Sequence, residues 1–377
     1  MTETHYDYII AGAGCSGLSL AMRIIESDLL RGKKILIVDE SPKKVNDRTW
    51  CFWETEDGFF QQLVHKQWKN LHFSDEHGTL HLDIVPYQYK LIKGIDFYNF
   101  CMTQIAAYPN ITFLQKKIDD VSPGGQIVAG DNTYSAQLIF NSIFLKPKVA
   151  KKQIWLSQHF KGWYIKSSTS AFDPEAATLM DFSISQSSGT AFFYVLPFSP
   201  TEALVEYTLF SENLLQDDEY DAALRQYISH NLKIHSYTIT ESEFGVIPMT
   251  NASFPLTNGN IINIGTAGGK TKGSSGYTFQ FIQKHSAEIV ANLEQQLHPA
   301  CAQTAARFSF YDSVLLDVLH QQRMQGREVF SKLFRKNKAA KVLQFLDNES
   351  TFLQEFQLIS SLPIVPFAKS AWSQLKK

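Results

Sequence analysis

One acidic residue stands inside an apolar run whose alternation is typical of a β-strand. In residues 203–210, Glu206 shares a strand face with Leu204, Thr208 and Phe210. Burial without a neighbouring cation would raise the pKa of this carboxyl and keep it protonated, as an acid catalyst acting on a hydrocarbon requires. On an edge strand, Glu206 would instead reach water or pair with a lysine. The residues alone leave both interpretations open.

Further acids lie among apolar neighbours and are also candidates for catalysis. Asp181 lies in the apolar run 179–182, and Glu241 and Glu243 precede another apolar run at 244–249. Acids in such positions are more often structural, with their hydrogen bonds satisfied, than catalytic.

The beginning of the chain has the pattern of a dinucleotide site. A strand at residues 8–11 leads through Gly12, Gly14 and Gly17 into a helix, and a second strand ends at Asp39. Gly12 permits the turn, Gly14 lets a pyrophosphate approach the backbone, and Gly17 lets helix and strand pack closely. The helix N-terminus offers N–H groups to phosphates, and Asp39 can accept hydrogen bonds from a ribose. The predicted contacts are Gly12, Ala13, Gly14, Cys15, Ser16, Gly17, Asp39 and Glu40.

A second glycine-rich stretch repeats this order of elements. A strand at 261–264 leads into residues 265–276, and a helix is predicted from 277 to 297. We therefore expect the two distant glycine stretches to meet in one nucleotide-binding domain. The predicted cofactor contacts here are Gly265, Thr266, Ala267, Gly268, Gly269 and Thr271.

Residues 46–53 run from polar to aromatic and predict a loop just after the second strand. This position suggests a loop over the bound cofactor, with Arg48 and Thr49 as contacts. A solvent loop anchored by tryptophan is the alternative.

The predicted elements change in type near residue 150. Before it, the apolar run 138–144 predicts a buried parallel strand that returns to the first sheet. After it, runs at 191–196 and 203–210, separated by Ser, Pro and Thr, predict an antiparallel sheet. The chain from 311 to 361 has a helical pattern.

These elements predict an α/β fold with three parts. A Rossmann-like dinucleotide-binding domain would carry an inserted antiparallel-sheet substrate domain and a helical C-terminal part. The predicted boundaries assign residues 1–78, 95–148 and 255–300 to the first part, 79–94 and 149–254 to the second, and 301–377 to the third.

Composition and charge exclude several functional classes. The 377 residues are 44% hydrophobic, enough for large cores, and the 28 phenylalanines could line an apolar site or simply fill a core. A net charge of −2 and a pI near 6.6 argue against a nucleic-acid partner. His77 and His81 do not share a helical face, and zinc and Ser-His-Asp patterns are missing, so no metal site is expected.

The cysteines and apolar runs indicate the compartment. Cys15, Cys51, Cys101 and Cys301 are scattered, which is typical of reduced thiols in a cytosolic protein. The first strand begins within ten residues, so no signal peptide is expected, and no apolar run approaches bilayer-spanning length. Any membrane contact should therefore be peripheral.

A basic amphipathic helix is predicted around residue 335. Its apolar side would consist of Phe330, Leu333 and Phe334. Such a helix could lie on anionic lipid, although a solvated basic face is the commoner explanation. Its basic residues are Lys332, Arg335, Lys336, Lys338 and Lys341.

Taken together and in this order, the motifs resemble those of the lycopene cyclase family of flavoproteins, specifically the bacterial lycopene beta-cyclases. They run across nearly the whole chain, and their specificity lies in the set. The matching segments are residues 7–17, 46–50, 160–163, 177–182, 195–199, 204–208, 245–249, 265–269, 276–279 and 342–347.

The resemblance implies a redox-neutral, acid-catalysed cyclisation of the acyclic ends of lycopene or related carotenoids to beta-ionone rings. The family's catalytic glutamate lies in the motif that residues 204–208 match, which implies Glu206. The predicted catalytic set is Glu206, Asp181 and Glu243. The division of labour between Glu206 and the flavin stays open.

The resemblance also implies the cofactor and the partners. FAD in its reduced form, kept reduced by NAD(P)H, would occupy the dinucleotide site. The expected location is the cytoplasm, with peripheral contact to the lipid of the inner face of the cell membrane, and the oligomeric state is left open.

Two departures from related patterns bear on this interpretation. Asn141 and Ser142 stand where related cyclases often have an acid or a glycine, which leaves the flavin contacts there open. Thr266 follows Gly265, where many flavin hydroxylases have Gly-Asp, and this favours a cyclase. The alternatives are a flavin-dependent monooxygenase or reductase of an isoprenoid lipid, and a carrier without chemistry.

Overall fold

The computed structural model describes residues 4–148, 150, 153–300 and 304–376. Cys301 and the predicted domain boundaries at 149 and 301 lie outside the described residues. In chain order the strands are β1 Thr4–Ala11, β2 Ile35–Asp39, β3 Thr49–Glu54, β4 Lys66–Trp68, β5 Asn70–Asp75, β6 Gly78–Asp83, β7 Gln88–Lys93, β8 Ile111–Gln115, β9 Asp120–Ser122, β10 Gln126–Ala129, β11 Asn132–Asn141, β12 Trp155–Ser167, β13 Ala176–Asp181, β14 Thr190–Pro197, β15 Glu202–Ser211, β16 Tyr237–Thr250, β17 Thr257–Asn258 and β18 Ile261–Asn263. The helices are α1 Cys15–Glu26, α2 Gly94–Ala106, α3 Asp217–His230, α4 Phe279–Glu294, α5 Ala306–His320, α6 Gly326–Lys336, α7 Ala339–Leu346, α8 Phe352–Ser360 and α9 Ile364–Leu375.

The N-terminal glycine turn belongs to a mainly parallel sheet with the order β17-β18-β11-β1-β2-β8. Five of its strands run parallel to one another: β18, β11, β1, β2 and β8. The short strand β10 pairs antiparallel with β11, and β9 pairs antiparallel with β10. Ile10 and Ile37 face helices α1, α2 and α4, whereas Ile9 and Val38 pack against Ile127 on the other face. Both faces are covered, which is why these strands are continuous apolar runs.

The acid-bearing run lies in a second sheet with the order β16-β12-β15-β14-β13-β5-β6. Its pairs are antiparallel except β13–β5. Helix α3 covers one face, where Val205 packs against Leu224. Helices α6 and α7 cover part of the other face, where Phe192 packs near Phe330 and Val342. The predicted α/β class, with a Rossmann-like sheet, an antiparallel sheet and a helical C-terminal part, is confirmed.

Strands β3, β7 and β4 form a small third sheet between the two large ones. The prediction of a loop at residues 46–53 is therefore wrong from Thr49 onward, because Thr49–Glu54 pairs with β7. Burial explains the difference. Phe52 lies in the core of the parallel sheet and Trp53 in the core of the seven-stranded sheet, and an exposed loop would leave both side chains in water.

The hairpin of β5 and β6 contains residue 78, at which the first predicted domain segment ends. Both strands pair in the seven-stranded sheet, whereas β7 pairs in the small sheet. The division into domains stays a prediction.

The helix predicted to lie on lipid is mostly α6, which ends at Lys336, so Lys338 and Lys341 belong to the start of α7 instead. The apolar side of α6 is not available to a membrane. Phe330, Leu333 and Phe334 are buried against the seven-stranded sheet and α7. Arg335, one of the basic residues, makes two hydrogen bonds to the Asp75 carboxylate, of 2.9 and 2.6 Å. Throughout the described ranges, no helix combines the length and apolarity that crossing a bilayer requires.

Candidate functional site

The N-terminal glycines have the geometry that their spacing predicts. Gly12 has a φ of +98°, and a Cβ there would stand 2.3 Å from Ser142 Oγ. A Cβ on Gly17 would stand 2.0 Å from the carbonyl oxygen of Gly12, so only glycine lets α1 approach β1 this closely. At Gly14, by contrast, no described atom lies within 4 Å of a Cβ position. The backbone at the start of α1 therefore faces open space, which a phosphate could enter.

Asp39 fixes this turn from the end of β2. Its Oδ2 accepts a hydrogen bond of 2.7 Å from the backbone N–H of Ala13, and its Oδ1 accepts one of 2.8 Å from Ser41. Lys43 lies 3.1 Å away. A carboxylate has about four acceptor positions, so Asp39 keeps capacity for a ribose hydroxyl. Glu40 is exposed beside it.

The second glycine stretch meets the first, as predicted. A Cβ on Gly265, whose φ is +59°, would stand 2.8 Å from Ser16 Cβ at the start of α1. Asn141 and Ser142, which depart from the pattern of related cyclases, lie at the end of β11 near this contact. Asn141 Nδ2 donates to Asn263 Oδ1 at 2.8 Å, and Ser142 Oγ donates to Ala11 O at 2.9 Å. Asn141 and Ser142 thus hold the neighbouring strand ends together.

A cavity of about 430 Å³ opens between the two large sheets, within the size range of small-molecule sites. Residues from the second glycine stretch, from β3 and from the inner face of the seven-stranded sheet line it together. Among the predicted site residues, those lining it are Arg48, Thr49, Glu206, Glu243 and Thr266. Gly268, Gly269 and Thr271 instead line a second cavity of about 370 Å³, together with Lys270 and Asn251.

Glu206 and Glu243 converge over one glycine. Gly162 on the central strand β12 pairs with Glu206 of β15 on one side and with Glu243 of β16 on the other. All three residues face the cavity side of the sheet. A Cβ on Gly162 would stand 3.1 Å from Glu243 Cγ and 3.3 Å from its Oε1, so the missing side chain provides the space in which the acids approach each other.

The environment of Glu206 and Glu243 raises the pKa of both carboxyls. Burial raises the pKa of Glu206 well above its ordinary value, and the charge of Glu243 raises it further. A hydrogen bond of 2.9 Å from Thr208 opposes the shift. Burial also raises the pKa of Glu243, to about 7, against hydrogen bonds from Thr49 and from the Glu206 carboxyl that lower it. Glu206 is therefore the protonated member of the pair at neutral pH, and Glu243 the member that ionises first.

A chain of hydroxyls positions Glu243. Thr49 Oγ1 donates to Glu243 Oε2 at 2.7 Å and lies 2.6 Å from the Tyr164 hydroxyl. Because threonine has a single hydroxyl proton, Tyr164 donates to Thr49 when Thr49 donates to Glu243. The other oxygen, Glu243 Oε1, is buried and accepts no hydrogen bond of normal geometry from the described residues. Thr49 thus holds one carboxylate oxygen, while the Glu206 carboxyl approaches the group from the other side of Gly162.

Aromatic residues form much of the remaining cavity wall. Tyr194 pairs across the sheet with Glu206, and its hydroxyl lies 3.5 Å from that of Tyr277. Tyr89 is fully buried in the small sheet, and Phe160 and Phe279 complete this wall. The cavity offers aromatic faces and two acids, and its other polar side chains include Arg48, Gln158 and several hydroxyls.

Asp181 lies away from this cavity. Its Oδ2 accepts a hydrogen bond of 2.6 Å from Tyr227 of α3, and its Oδ1 accepts one of 2.8 Å from the Ser183 backbone. These bonds join α3 to the end of β13. The structure does not bring Asp181 together with Glu206 and Glu243.

Three residues of the site were not singled out for it in the sequence. Gly162, Tyr164 and Tyr194 reach it through strand pairing. Gly162 and Tyr164 are two residues apart and so share a strand face, but a single sequence does not reveal which residue of the next strand each one meets.

Comparison with known proteins identifies the family. The model of the family described as "Lycopene cyclase protein" matches residues 7–372. A lycopene beta-cyclase from Pantoea ananas is 24% identical over 262 residues, which cover 66% of this chain and 63% of the relative. The match therefore spans less than two-thirds of that relative's length.

Solved structures show the same fold at low sequence identity. A geranylgeranyl bacteriochlorophyll reductase-like protein from Thermoplasma acidophilum has a TM-score of 0.65 and 12% identity, with 99% of each chain covered. A flavoprotein/dehydrogenase from Cytophaga hutchinsonii has a TM-score of 0.65 and 10% identity, again with 99% of each chain covered. A probable FAD-dependent monooxygenase from Pseudomonas aeruginosa has a TM-score of 0.61 and 13% identity, covering 88% of this chain and all of its own.

Proposed function

Because this chain belongs to the lycopene cyclase family, we propose that it is a lycopene beta-cyclase, an isomerase of the intramolecular lyase class. It would convert the linear psi-ends of lycopene to beta-ionone rings, giving gamma-carotene and beta-carotene. The observation that carries the proposal is the pair of acids that lines the aromatic cavity, half-buried Glu206 and buried Glu243.

Glu206 is the proposed acid. Its raised pKa keeps a proton on the carboxyl at neutral pH. This proton passes to a terminal double bond of the substrate and leaves a tertiary carbocation. The next double bond attacks the cation, and the new carbon–carbon bond closes the ring.

Glu243 is the proposed counter-ion and proton acceptor. A carboxylate in an apolar cavity stabilises a nearby cation far more than one in water does. Loss of a ring proton to the pair then forms the ring double bond. The two acids hold one proton before and after the reaction, and the product has the mass of the substrate. Asp181 takes no part, because its contacts lie elsewhere.

The aromatic wall supports the same chemistry. A carbocation is lost if water reaches it, so the site must exclude water. The faces of Tyr89, Tyr194 and Tyr277 can stabilise positive charge in addition.

The proposal includes FAD as the cofactor. The open approach at Gly14, the N-terminus of α1 and the acceptor at Asp39 fit a dinucleotide. When bound in its reduced form, FAD supplies an electron-rich ring system to a cationic reaction, and NAD(P)H would be the reductant. The residues proposed to hold it are Gly12, Ala13, Gly14, Cys15, Ser16, Gly17, Asp39, Glu40, Arg48, Gly265, Thr266 and Ala267. Thr49 is assigned to Glu243 instead.

The proposed location is the cytoplasm, with contact to the inner face of the cell membrane. This part follows from the family and from the apolar nature of the substrate, which partitions into lipid.

Expression of the Glu206→Gln variant in cells that accumulate lycopene tests the proposal. The wild-type protein should form a ringed pigment of unchanged mass, and Glu206→Gln should bind FAD normally but form none. Glu202→Gln is the matched control on the same strand, because Glu202 makes an exposed ion pair of 2.8 Å with Lys166 that contributes little to stability. Full activity of Glu206→Gln would remove Glu206 from the mechanism. A product that gained oxygen or hydrogen would instead indicate a monooxygenase or reductase.

A further inference from the structure

Gln158 presents a buried carboxamide to the cavity that also contains the two acids. It lies on β12 four residues before Gly162, so the two residues share the same face of the strand. At about 3.3 Å per residue, Gln158 stands about 13 Å along the strand from the position over which the acids meet. Its side chain is 7% exposed, and its Oε1 accepts no hydrogen bond from the described residues. A buried amide without a partner is costly, so its position in a cavity indicates a ligand with hydrogen-bonding groups.

The second glycine stretch brings a hydroxyl to the same part of the cavity. Gly276 has a φ of +72°, and a Cβ there would stand 2.4 Å from Gln158 Oε1, so the carboxamide packs directly against this loop. The preceding residue, Ser275, lines the same cavity and is buried. Its Oγ also has no hydrogen-bond partner among the described residues. An amide and a hydroxyl thus lie side by side with hydrogen-bonding capacity left over.

The loop that carries this hydroxyl is held in place by its own bonds. The backbone N–H of Gly276 donates to Lys272 O at 2.9 Å, and Thr278 Oγ1 donates to Gly276 O at 2.8 Å. The Lys272 side chain is buried, with its ammonium 2.8 Å from the Asp312 carboxylate. The amide and the hydroxyl are therefore preorganised, and a ligand can bind to them without first ordering the loop.

The chemistry of the possible ligands decides between substrate and cofactor. Lycopene is a hydrocarbon, so it has no atom that could donate a hydrogen bond to the carboxamide or accept one from it. The pyrimidine ring of a flavin carries an N–H between two carbonyls. A carboxamide has one acceptor and two donors, so it can pair with the ring N–H and with a neighbouring carbonyl at once. A serine hydroxyl can donate to a carbonyl as well.

We propose that Gln158, together with Ser275, recognises the pyrimidine edge of the flavin. The inference rests on the FAD cofactor of the proposed function and extends it from the adenosine-diphosphate half to the ring system. The N-terminal glycines and Asp39 bind the first half, and Gln158 reads the hydrogen-bonding edge of the second. Gln158 is a binding residue in this account and takes no part in the proton transfers.

Binding of FAD and of 3-methyl-FAD, in which a methyl group replaces the hydrogen of the ring N–H, tests this. Calorimetric titration of the purified full chain, freed of bound flavin, should give a Kd for FAD about tenfold or more below that for 3-methyl-FAD. Gln158→Leu removes the amide at similar volume. It should weaken FAD binding by about tenfold and bind the two cofactors with equal affinity.

Two controls separate recognition from folding. ADP lacks the flavin, so it should bind wild type and Gln158→Leu equally, which shows that the variant is folded around an intact glycine site. Gln226→Leu changes an exposed glutamine of α3, on the other face of the same sheet, and should keep the wild-type preference for FAD. If Gln158→Leu does not fold, Gln158→Met takes its place with the same expected result.

Either of two results would overturn the inference alone. They are equal affinity of the wild type for FAD and 3-methyl-FAD, and an undiminished preference for FAD in Gln158→Leu. Both would leave the proposed cofactor and reaction in place. A wild-type chain that binds no FAD would instead overturn the cofactor of the proposed function, and this inference with it. Since no assay here measures cyclisation, the two failures are distinguished by whether the wild type binds FAD.

Discussion

At the scale of single residues, the chemistry of the cavity depends on how one hydroxyl proton is shared. Thr49 donates to Glu243 and so accepts from Tyr164, both at less than 2.8 Å. This bond favours the charged form of Glu243 and partly offsets the effect of burial on its pKa. Without it the pKa of Glu243 would be higher, and a smaller fraction of Glu243 would be charged at neutral pH.

Thr49→Val should move the pH profile of cyclisation. If Glu243 acts as the carboxylate, activity rises with pH through its pKa of about 7. Loss of the Thr49 hydrogen bond raises this pKa, so the rising limb should move to higher pH by about one unit. Rates measured with purified protein between pH 5 and about pH 9 check this.

Thr49→Ser is the matched control for this experiment. Serine keeps the hydroxyl, so its profile should follow the wild type. A rising limb that stays in place in Thr49→Val would assign that limb to a group other than Glu243.

At the scale of elements, three adjacent strands bring the acids together. Glu206 lies on β15 and Glu243 on the edge strand β16, with β12 between them. Direct neighbours across one strand pair lie closer than residues separated by a whole strand, so the acids meet because the central position is Gly162. The glycine belongs to a strand with ordinary extended geometry, and its role is to leave space.

Gly162→Ala should therefore reduce cyclisation more than it reduces stability. The new methyl would stand 2.9 Å from Leu204 Cδ1 and 3.1 Å from Glu243 Cγ, so the Glu243 side chain must move. We expect kcat/KM to fall by about tenfold or more, with about 1–2 kcal/mol lost from the free energy of unfolding. Gly32→Ala, where a Cβ meets no described atom within 4 Å, should leave both quantities unchanged. Wild-type kinetics in Gly162→Ala would contradict this account.

At the scale of the whole molecule, the C-terminal helices are fastened to the seven-stranded sheet by charge as well as by apolar packing. Asp75, at the end of β5 and 3% exposed, accepts hydrogen bonds from Arg335 and Ser331 of α6. Burial alone would raise the pKa of Asp75, but these bonds outweigh it and lower the pKa to about 2. The same contact fixes the orientation of α6, and with it the buried position of Phe334.

Asp75→Asn should destabilise the protein by about 2 kcal/mol at pH 7. Since the folded pKa of about 2 lies below the ordinary value of 3.8, the contribution is present above pH 4 and is lost as the pH falls towards 2. The difference between wild type and variant should therefore shrink with acidification. Denaturant midpoints at pH 7 and at about pH 3 measure it.

Asp131→Asn, in an exposed turn, serves as the control and should behave like wild type at both pH values. A difference between wild type and Asp75→Asn that stayed constant with pH would show that the ion pair does not contribute in this way.

The sequence by itself determined the parts that depend on neighbouring residues. The strand, glycine turn and helix at the N-terminus, the second glycine stretch and the alternation around Glu206 are local patterns, because periodicity and glycine geometry act within a few residues. The family resemblance, which the family match confirms, rests on the order of such local motifs.

Only the tertiary structure decided what lies beside what. The sequence left Glu206 equally placed for water or for burial. Strand pairing put Glu243 beside it and turned Thr49 from an expected loop residue into a strand residue that holds Glu243. The docking of α3 placed Tyr227 on Asp181. Likewise, the apolar side of α6 is buried while that of α8 and α9 stays exposed, although all three helices are amphipathic in sequence. Register and helix docking depend on contacts between distant segments, and a single sequence does not record them.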